Sequence, residues 1–123
     1  MDQLNNKVIL IVDDEEIIRE IMVEALSCIE KLSILQACNG SEAITELNKH
    51  DIDILITDLK MPVKDGFGLL QYLNEEYEKN LITIVCSGYV DQDKGRLQEF
   101  NIFKVIGKPF NIDLFINEIE NLM

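Results

Sequence analysis

Residues 8–29 read Val8-Ile9-Leu10-Ile11-Val12-Asp13-Asp14-Glu15-Glu16-Ile17-Ile18-Arg19-Glu20-Ile21-Met22-Val23-Glu24-Ala25-Leu26-Ser27-Cys28-Ile29. The run Val8–Val12 is apolar without a break. It is too short for a helix and lacks the alternation of a strand with one wet face, so it suits a strand covered on both sides. From Ile17 the period changes. Ile17, Ile21, Ala25 and Ile29 recur every fourth residue, with Ile18, Met22 and Leu26 beside them, while Glu16, Arg19, Glu20, Glu24 and Glu30 fall mostly elsewhere. That is one apolar stripe on a helix. A buried strand followed at once by an amphipathic helix is half of a strand–helix–strand unit, and two acids stand at the junction.

The same alternation repeats along the chain. Further apolar runs occur at Ile34–Ala37, Ile54–Thr57, Leu81–Cys86 and Ile102–Ile106. Between them lie helical segments. One is capped by Ser41 and carries Ala43, Ile44 and Leu47. Another covers 66–78 with Phe67, Leu70, Leu73 and Tyr77 inward. A third follows Pro109, capped by Asn111, with the stripe Ile112, Phe115, Ile116, Ile119 and Met123. The segment between Asp91 and Asn101 is the weak one, since Leu97 and Phe100 are its apolar residues and Gly95 interrupts it. Strand–helix alternation of this kind predicts an α/β fold: a doubly wound five-stranded parallel sheet, order 2-1-3-4-5, with five helices. No internal repeat, low-complexity tract or linker is visible. We expect residues 1–123 to form a single domain with no output domain after the fifth helix.

Composition narrows the function. The 123 residues include 11 basic and 23 acidic side chains, a net charge of −12, with 47% apolar residues and no Trp. Such a chain carries enough apolar residues for a core. Its acidity argues against nucleic acid and against an anionic membrane, both of which call for basic patches. With a polar start and short apolar runs, we expect neither a signal peptide nor a membrane span. Cys28, Cys38 and Cys86 are odd in number and form no close pair. This fits buried thiols in a reducing, cytoplasmic setting, and with His50 they lack the spacing of a zinc site.

In such a sheet, ligands bind at the carboxyl ends of the strands, where the strand order switches. Asp13 and Asp14 follow strand 1, Asp58 follows strand 3, Ser87 and Gly88 follow strand 4, and Lys108 with Pro109 follows strand 5. Three carboxylates in one place repel and need a cation, and an all-oxygen set suits Mg²⁺. A lysine and a hydroxyl beside them can hold phosphoryl oxygens, and one carboxylate can attack phosphorus to give an acyl phosphate. The plainer readings are that Asp14 caps the first helix, that Glu15 and Glu16 favour its N-terminus, that Met61-Pro62 and Gly66 shape the loop after Asp58, and that Asp51 and Asp53 are solvated at the opposite end of the sheet. Gly66-Phe67-Gly68 lacks the third glycine of a dinucleotide site.

With Ile11-Val12-Asp13-Asp14-Glu15, Asp58-Leu59-Lys60-Met61-Pro62 followed by Gly66, Cys86-Ser87-Gly88-Tyr89 and Lys108-Pro109-Phe110, the sequence resembles the receiver domains of two-component response regulators. The likeness covers essentially the whole chain, as in single-domain chemotaxis regulators, and implies a flavodoxin-like fold. It further implies that Asp58 accepts a phosphoryl group from a histidine kinase or histidine phosphotransfer protein. Asp14 would be a direct Mg²⁺ ligand, Asp13 would hold a metal-bound water, and the Lys60 carbonyl would complete the protein's share. Ser87 and Lys108 would contact the phosphoryl group, with the Lys108–Pro109 peptide cis. On this likeness the protein is not an enzyme acting on other molecules; it catalyses its own phosphorylation and dephosphorylation. It would act as a monomer or weak dimer and meet a downstream protein through helix 4, strand 5 and helix 5.

One position departs from the family pattern. Val105 stands where a switching aromatic is usual, and Phe103, on the same face of the strand but roughly 6–7 Å away, does not replace it. Output is therefore expected to run through the thinly packed segment 89–101. Tyr89 and Lys60 flank the path of the hydrolytic water, and Tyr89 is expected to shield the acyl phosphate. Two other classes of function fit the residues less well. An aspartyl-phosphate phosphatase of the haloacid dehalogenase type needs a second acid where Lys60 stands. A phosphorylation-independent adaptor would not need the full set Asp13, Asp14, Asp58, Ser87 and Lys108.

Overall fold

The computed structural model describes residues 6–88, 90–108 and 111–122, and at 90–92 the backbone alone. Among these, the strands β1 Val8–Val12, β2 Ser33–Ala37, β3 Ile54–Asp58, β4 Ile82–Ser87 and β5 Lys104–Gly107 alternate with the helices α1 Glu16–Leu26, α2 Gly40–Lys49, α3 Gly66–Glu76, α4 Val90–Leu97 and α5 Ile112–Glu120. All strand pairs are parallel, in the order β2-β1-β3-β4-β5. The architecture is the expected one.

Alternate strand residues serve opposite faces of the sheet. Ile9, Ile11, Ile54, Ile56, Ile84 and Cys86 pack against Met22 and Leu26 of α1 and Phe115 and Ile119 of α5. Leu10, Val12 and Leu55 pack against Ala43 and Leu47 of α2 and Leu69 of α3. A smaller cluster of Leu59, Phe67, Leu70, Val85 and Leu97 holds α4, with Phe100, Ile102 and Val105 at its edge. Residues covered on both sides explain why these strands read as continuous apolar runs.

The differences from expectation are local. The α1 stripe is wider than the surface that covers it: Met22 and Leu26 are buried, whereas Ile17 is 70% and Ile21 41% exposed. Helix α2 begins at Gly40, and its cap is Asn39, not Ser41; the Asn39 side chain accepts from the Glu42 N–H at 2.9 Å. Helix α3 stops at Glu76, with Tyr77 already extended yet still packed inward. Three ladders run one residue past the apolar stretch at their carboxyl ends, taking in Asp58, Ser87 and Gly107. The ladder is a backbone property, so it continues under polar side chains. Phe103 precedes β5 and is 55% exposed. Of the cysteines, only Cys86 is buried; Cys28 is exposed and Cys38 intermediate. Asp53 is not merely solvated, since its Oδ2 accepts from the Val8 N–H at 2.9 Å and secures the start of β1. Asp51 pairs with Lys79. Among the described residues no helix is long and apolar enough to cross a membrane.

Candidate functional site

The strand order switches beside β1, and there the ends of β1 and β3 present their acids. Asp13, Asp14 and Asp58 each bring a carboxylate oxygen within 4.8 Å of the others, and among the described residues this is the group able to converge on a metal ion. The three differ in setting. Asp13 is 1% exposed, Asp58 is partly covered and Asp14 is open to solvent. An acid as buried as Asp13 must be paired, and its partner is Lys108. The Lys108 Nζ lies 2.8 Å from Asp13 Oδ2 and 3.1 Å from Asp58 Oδ2. Burial pulls the Lys108 ammonium towards its neutral form, but the hydrogen bonds and charges of Asp13 and then Asp58 outweigh it, and its pKa ends above the usual lysine value.

The remaining bonds orient these groups. Asp13 Oδ1 accepts from the Glu15 N–H at 2.9 Å, so Asp13 rather than Asp14 serves the start of α1; the cap residue Glu15 makes no side-chain cap bond. The Arg19 guanidinium donates to the Asp13 carbonyl at 2.5 Å and to Gln36 Oε1 at 3.1 Å, tying α1 to β1 and β2. Asp58 Oδ1 accepts from the Leu59 N–H at 2.7 Å, and the Thr57 hydroxyl donates to the Asp58 carbonyl at 2.8 Å. Those bonds leave the other Asp58 oxygen facing Lys108. The Lys108 N–H donates to the Ser87 carbonyl at 2.8 Å, which carries the β4–β5 ladder up to the lysine and delivers its side chain to the rim.

Gly66 explains how α3 meets this rim. Its N–H donates to the Leu59 carbonyl at 2.8 Å. A Cβ there would lie 2.2 Å from the Asp58 carbonyl oxygen, so only glycine permits the approach. In the loop between, Val63 is left-handed at φ 69° and 84% exposed, a costly conformation for a β-branched residue.

The structure brings together Asp13, Asp14, Asp58 and Lys108 as the sequence suggested. Lys60 lies in the loop after β3, exposed. Ser87 ends β4, 2% exposed, and its hydroxyl donates to Asp93 Oδ2 at 2.8 Å. Val105 packs against the cluster under α4. The expectations for Tyr89 and for a cis Lys108–Pro109 peptide fall on residues outside those described. The sequence reading missed Asp93, Arg19 and Arg96, whose guanidinium sits 3.7 Å from the centre of the Phe67 ring. Each acts across elements, and no local period marks such a residue.

The buried Cys86 thiol is next to the site but inert: burial pushes its pKa up to about 12, with Lys108 opposing and Asp58 and Asp13 adding to the rise. A thiol held neutral is neither nucleophile nor metal ligand.

Comparison with known proteins agrees with this architecture. Residues 9–120 match the family described as the response regulator receiver domain, and the chain belongs to that family. Among curated relatives, a probable transcriptional regulator, ycf27, of Cyanidium caldarium is 36% identical over 84% of this chain and 41% of its own length. The response regulator GtcR of Aneurinibacillus migulanus is 36% identical over 86% of this chain and 43% of its own. The chain thus spans less than half the length of these two relatives. Among solved structures, the chemotaxis response regulator CheY4 of Vibrio cholerae superposes with a TM-score of 0.84 at 22% identity, covering 95% of this chain and 98% of that one. The receiver domain of AraT, a response regulator of Geobacillus stearothermophilus, gives 0.81 at 30% identity, covering 94% and 90%. The chain is therefore a receiver domain of a two-component response regulator, a signalling module.

Proposed function

We propose that this domain is switched by transfer of a phosphoryl group from a phosphohistidine, on a histidine kinase or a phosphotransfer protein, to Asp58. The observation that carries the reading is one ammonium, Lys108, held between two carboxylates while a third, Asp14, stands within 4.8 Å of both. Lys108 offsets part of their charge and leaves a net negative pocket, which suits a small hard cation. Asp13, Asp14, Asp58 and the Lys60 carbonyl would hold Mg²⁺, which would supply charge neutralisation for the phosphoryl oxygens.

The chain's own groups account for the rest. The Asp58 oxygen that faces Lys108, Oδ2, is the nucleophile: a bond from it to phosphorus forms as the phosphorus–nitrogen bond of the donor breaks, and the electron pair leaves with the imidazole. Lys108 stays charged at neutral pH and can follow the phosphoryl group as Asp58 loses its negative charge to the new bond. Ser87 supplies a hydroxyl to a phosphoryl oxygen. The rim offers the donor a docking surface, since Ile17 and Ile21 follow Asp13-Asp14 on α1 and Val63 follows Asp58, all of them exposed. Output passes by protein contact through α4, β5 and α5, in the cytoplasm, from residues 1–123 acting as one receiver unit.

A phosphatase acting on other phosphoesters is disfavoured by Lys60 at the position of its second acid, and by Asp51 and Asp53 being engaged at the far end of β3. The test is incubation with a small acyl phosphate donor with and without Mg²⁺, read by intact mass. One phosphoryl group is expected with Mg²⁺, and none in Asp58→Asn. Modification that ignores the metal, or that survives Asp58→Asn, overturns the reading.

A further inference from the structure

Helix α4 is tied to the rim by a bond that the carboxylate chemistry does not require. Ser87 ends β4 as a buried residue, and its Oγ lies 2.8 Å from Oδ2 of Asp93, in the middle of α4. Among the described residues, few other side chains hold the helix. It has eight residues, its last one, Leu97, enters the core, and Arg96 lies against Phe67. A Cβ on Gly95 would meet nothing within 4 Å.

We propose that Asp93 is a latch that holds α4 to Ser87 in the unphosphorylated protein and is expelled when Asp58 carries a phosphoryl group. The inference rests on the phosphoacceptor reading of the site and deepens it. A hydroxyl has one proton to donate. In the unphosphorylated protein a carboxylate takes it. A phosphoryl group on Asp58 brings oxygen acceptors to the same hydroxyl, and two anions cannot share one donor without repelling each other at close range. The phosphoryl group is anchored by Lys108, whereas Asp93 is only partly buried and can turn to water at little cost. Asp93 is the anion that leaves, and α4 loses its tether. Signalling then needs no aromatic at Val105, which is already packed beneath α4 against the cluster of Leu59, Phe67, Leu70, Val85 and Leu97. Asp93 touches no reacting atom; it is a positioning residue that acts through Ser87.

The experiment compares the wild type, Ser87→Ala, Asp93→Ala, the double variant and Asp93→Asn. First, amide hydrogen exchange over 90–97 is measured with no phosphoryl mimic. Asp93→Ala and Ser87→Ala should each raise exchange there about tenfold, and the double variant no further. Second, the proteins are titrated with beryllofluoride and Mg²⁺ as the acyl phosphate mimic. The wild type should reach the exchange of Asp93→Ala on binding. Asp93→Ala should bind about tenfold more tightly than the wild type, and the advantage should vanish in the Ser87→Ala background. Asp93→Asn, which keeps an acceptor oxygen without the charge, should keep low exchange yet bind more tightly than the wild type. Equal beryllofluoride affinities of the wild type and Asp93→Ala overturn the latch and leave the phosphoacceptor reading intact. So does an Asp93→Ala effect that persists without Ser87. Failure of the wild type to bind the mimic overturns the phosphoacceptor reading and the release step with it.

Discussion

Replacing Gly66 with alanine should damage the fold and the site together. The added Cβ would lie 2.2 Å from the Asp58 carbonyl oxygen, 2.6 Å from the Leu59 Cα and 3.0 Å from the Asp58 carbonyl carbon. All three are backbone atoms of the strand end, so no side chain can rotate aside. To restore ordinary contact, the start of α3 must retreat by about 1 Å, and the core does not yield smoothly to that. The retreat stretches the 2.8 Å bond from the Gly66 N–H to the Leu59 carbonyl. It also drags Phe67, Leu69 and Leu70, all buried, away from the sheet. Overpacking costs about 1–3 kcal/mol and the weakened bond about 1 kcal/mol, so Gly66→Ala should lose about 2–4 kcal/mol of a total of roughly 5–15 kcal/mol. Gly95→Ala is the matched control. It lies inside α4, with nothing within 4 Å of the new Cβ and no left-handed backbone. Alanine there should gain about 0.5–1 kcal/mol. Urea unfolding followed by far-ultraviolet circular dichroism, with a common slope, reads both shifts. Because the new Cβ presses on the backbone of Asp58 itself, Gly66→Ala should also slow phosphorylation by a small donor. A Gly66→Ala midpoint equal to the wild type, or shifts of the same sign in both variants, would refute the steric argument.

Three further outcomes are expected. Lys108→Met leaves the buried Asp13 and its neighbour Asp58 without their cation, so in chelator the variant should lose about 3 kcal/mol, near the low end for a broken buried pair. Mg²⁺ should raise its melting temperature more than that of the wild type, and an equal Mg²⁺ response counts against the shared-cation picture. Because the Lys108 pKa is raised, its contribution is complete below the ordinary lysine value and lost only as pH rises through the higher folded value. The stability gap between wild type and Lys108→Met should therefore stay flat between about pH 7 and 9.5, and a gap that closes in that window contradicts the assignment. Val63→Gly should gain about 1 kcal/mol by relieving the left-handed valine; a loss of stability in the same urea assay points to a packing role for this exposed side chain. At about pH 8 a disulfide reagent should label Cys28 quickly and leave Cys86 untouched until the protein unfolds, and labelling at equal rates would contradict its burial and high pKa.

The sheet order and the gathering of Asp13, Asp14, Asp58 and Lys108 were legible because both follow from short-range pattern. Continuous apolar runs mark strands covered twice, and in a doubly wound sheet the polar residue after each run must reach one rim. Boundaries were less legible where backbone bonding and side-chain polarity part company. Asn39 rather than Ser41 caps α2 because the Gly40 N–H is drawn to the Lys64 carbonyl at 2.8 Å, a contact from a distant loop. The strand now ending at Gly107 looked earlier because Ile102 and Phe103 are apolar, though Phe103 remains outside the ladder.

By itself, then, the sequence determined the class of fold, which residues follow the strands at one rim, and the excess of negative charge among them. These depend on period and composition, which are properties of neighbours in the chain. Only the tertiary structure decided which acid is buried, that one lysine spans two of them, that α1 leaves Ile17 and Ile21 uncovered, and that the Ser87 hydroxyl donates to Asp93 on α4. Burial and hydrogen-bond partners depend on which surfaces meet across the sheet. Residues as far apart in sequence as Asp13 and Lys108 acquire a shared electrostatic role only when the strands between them are in register.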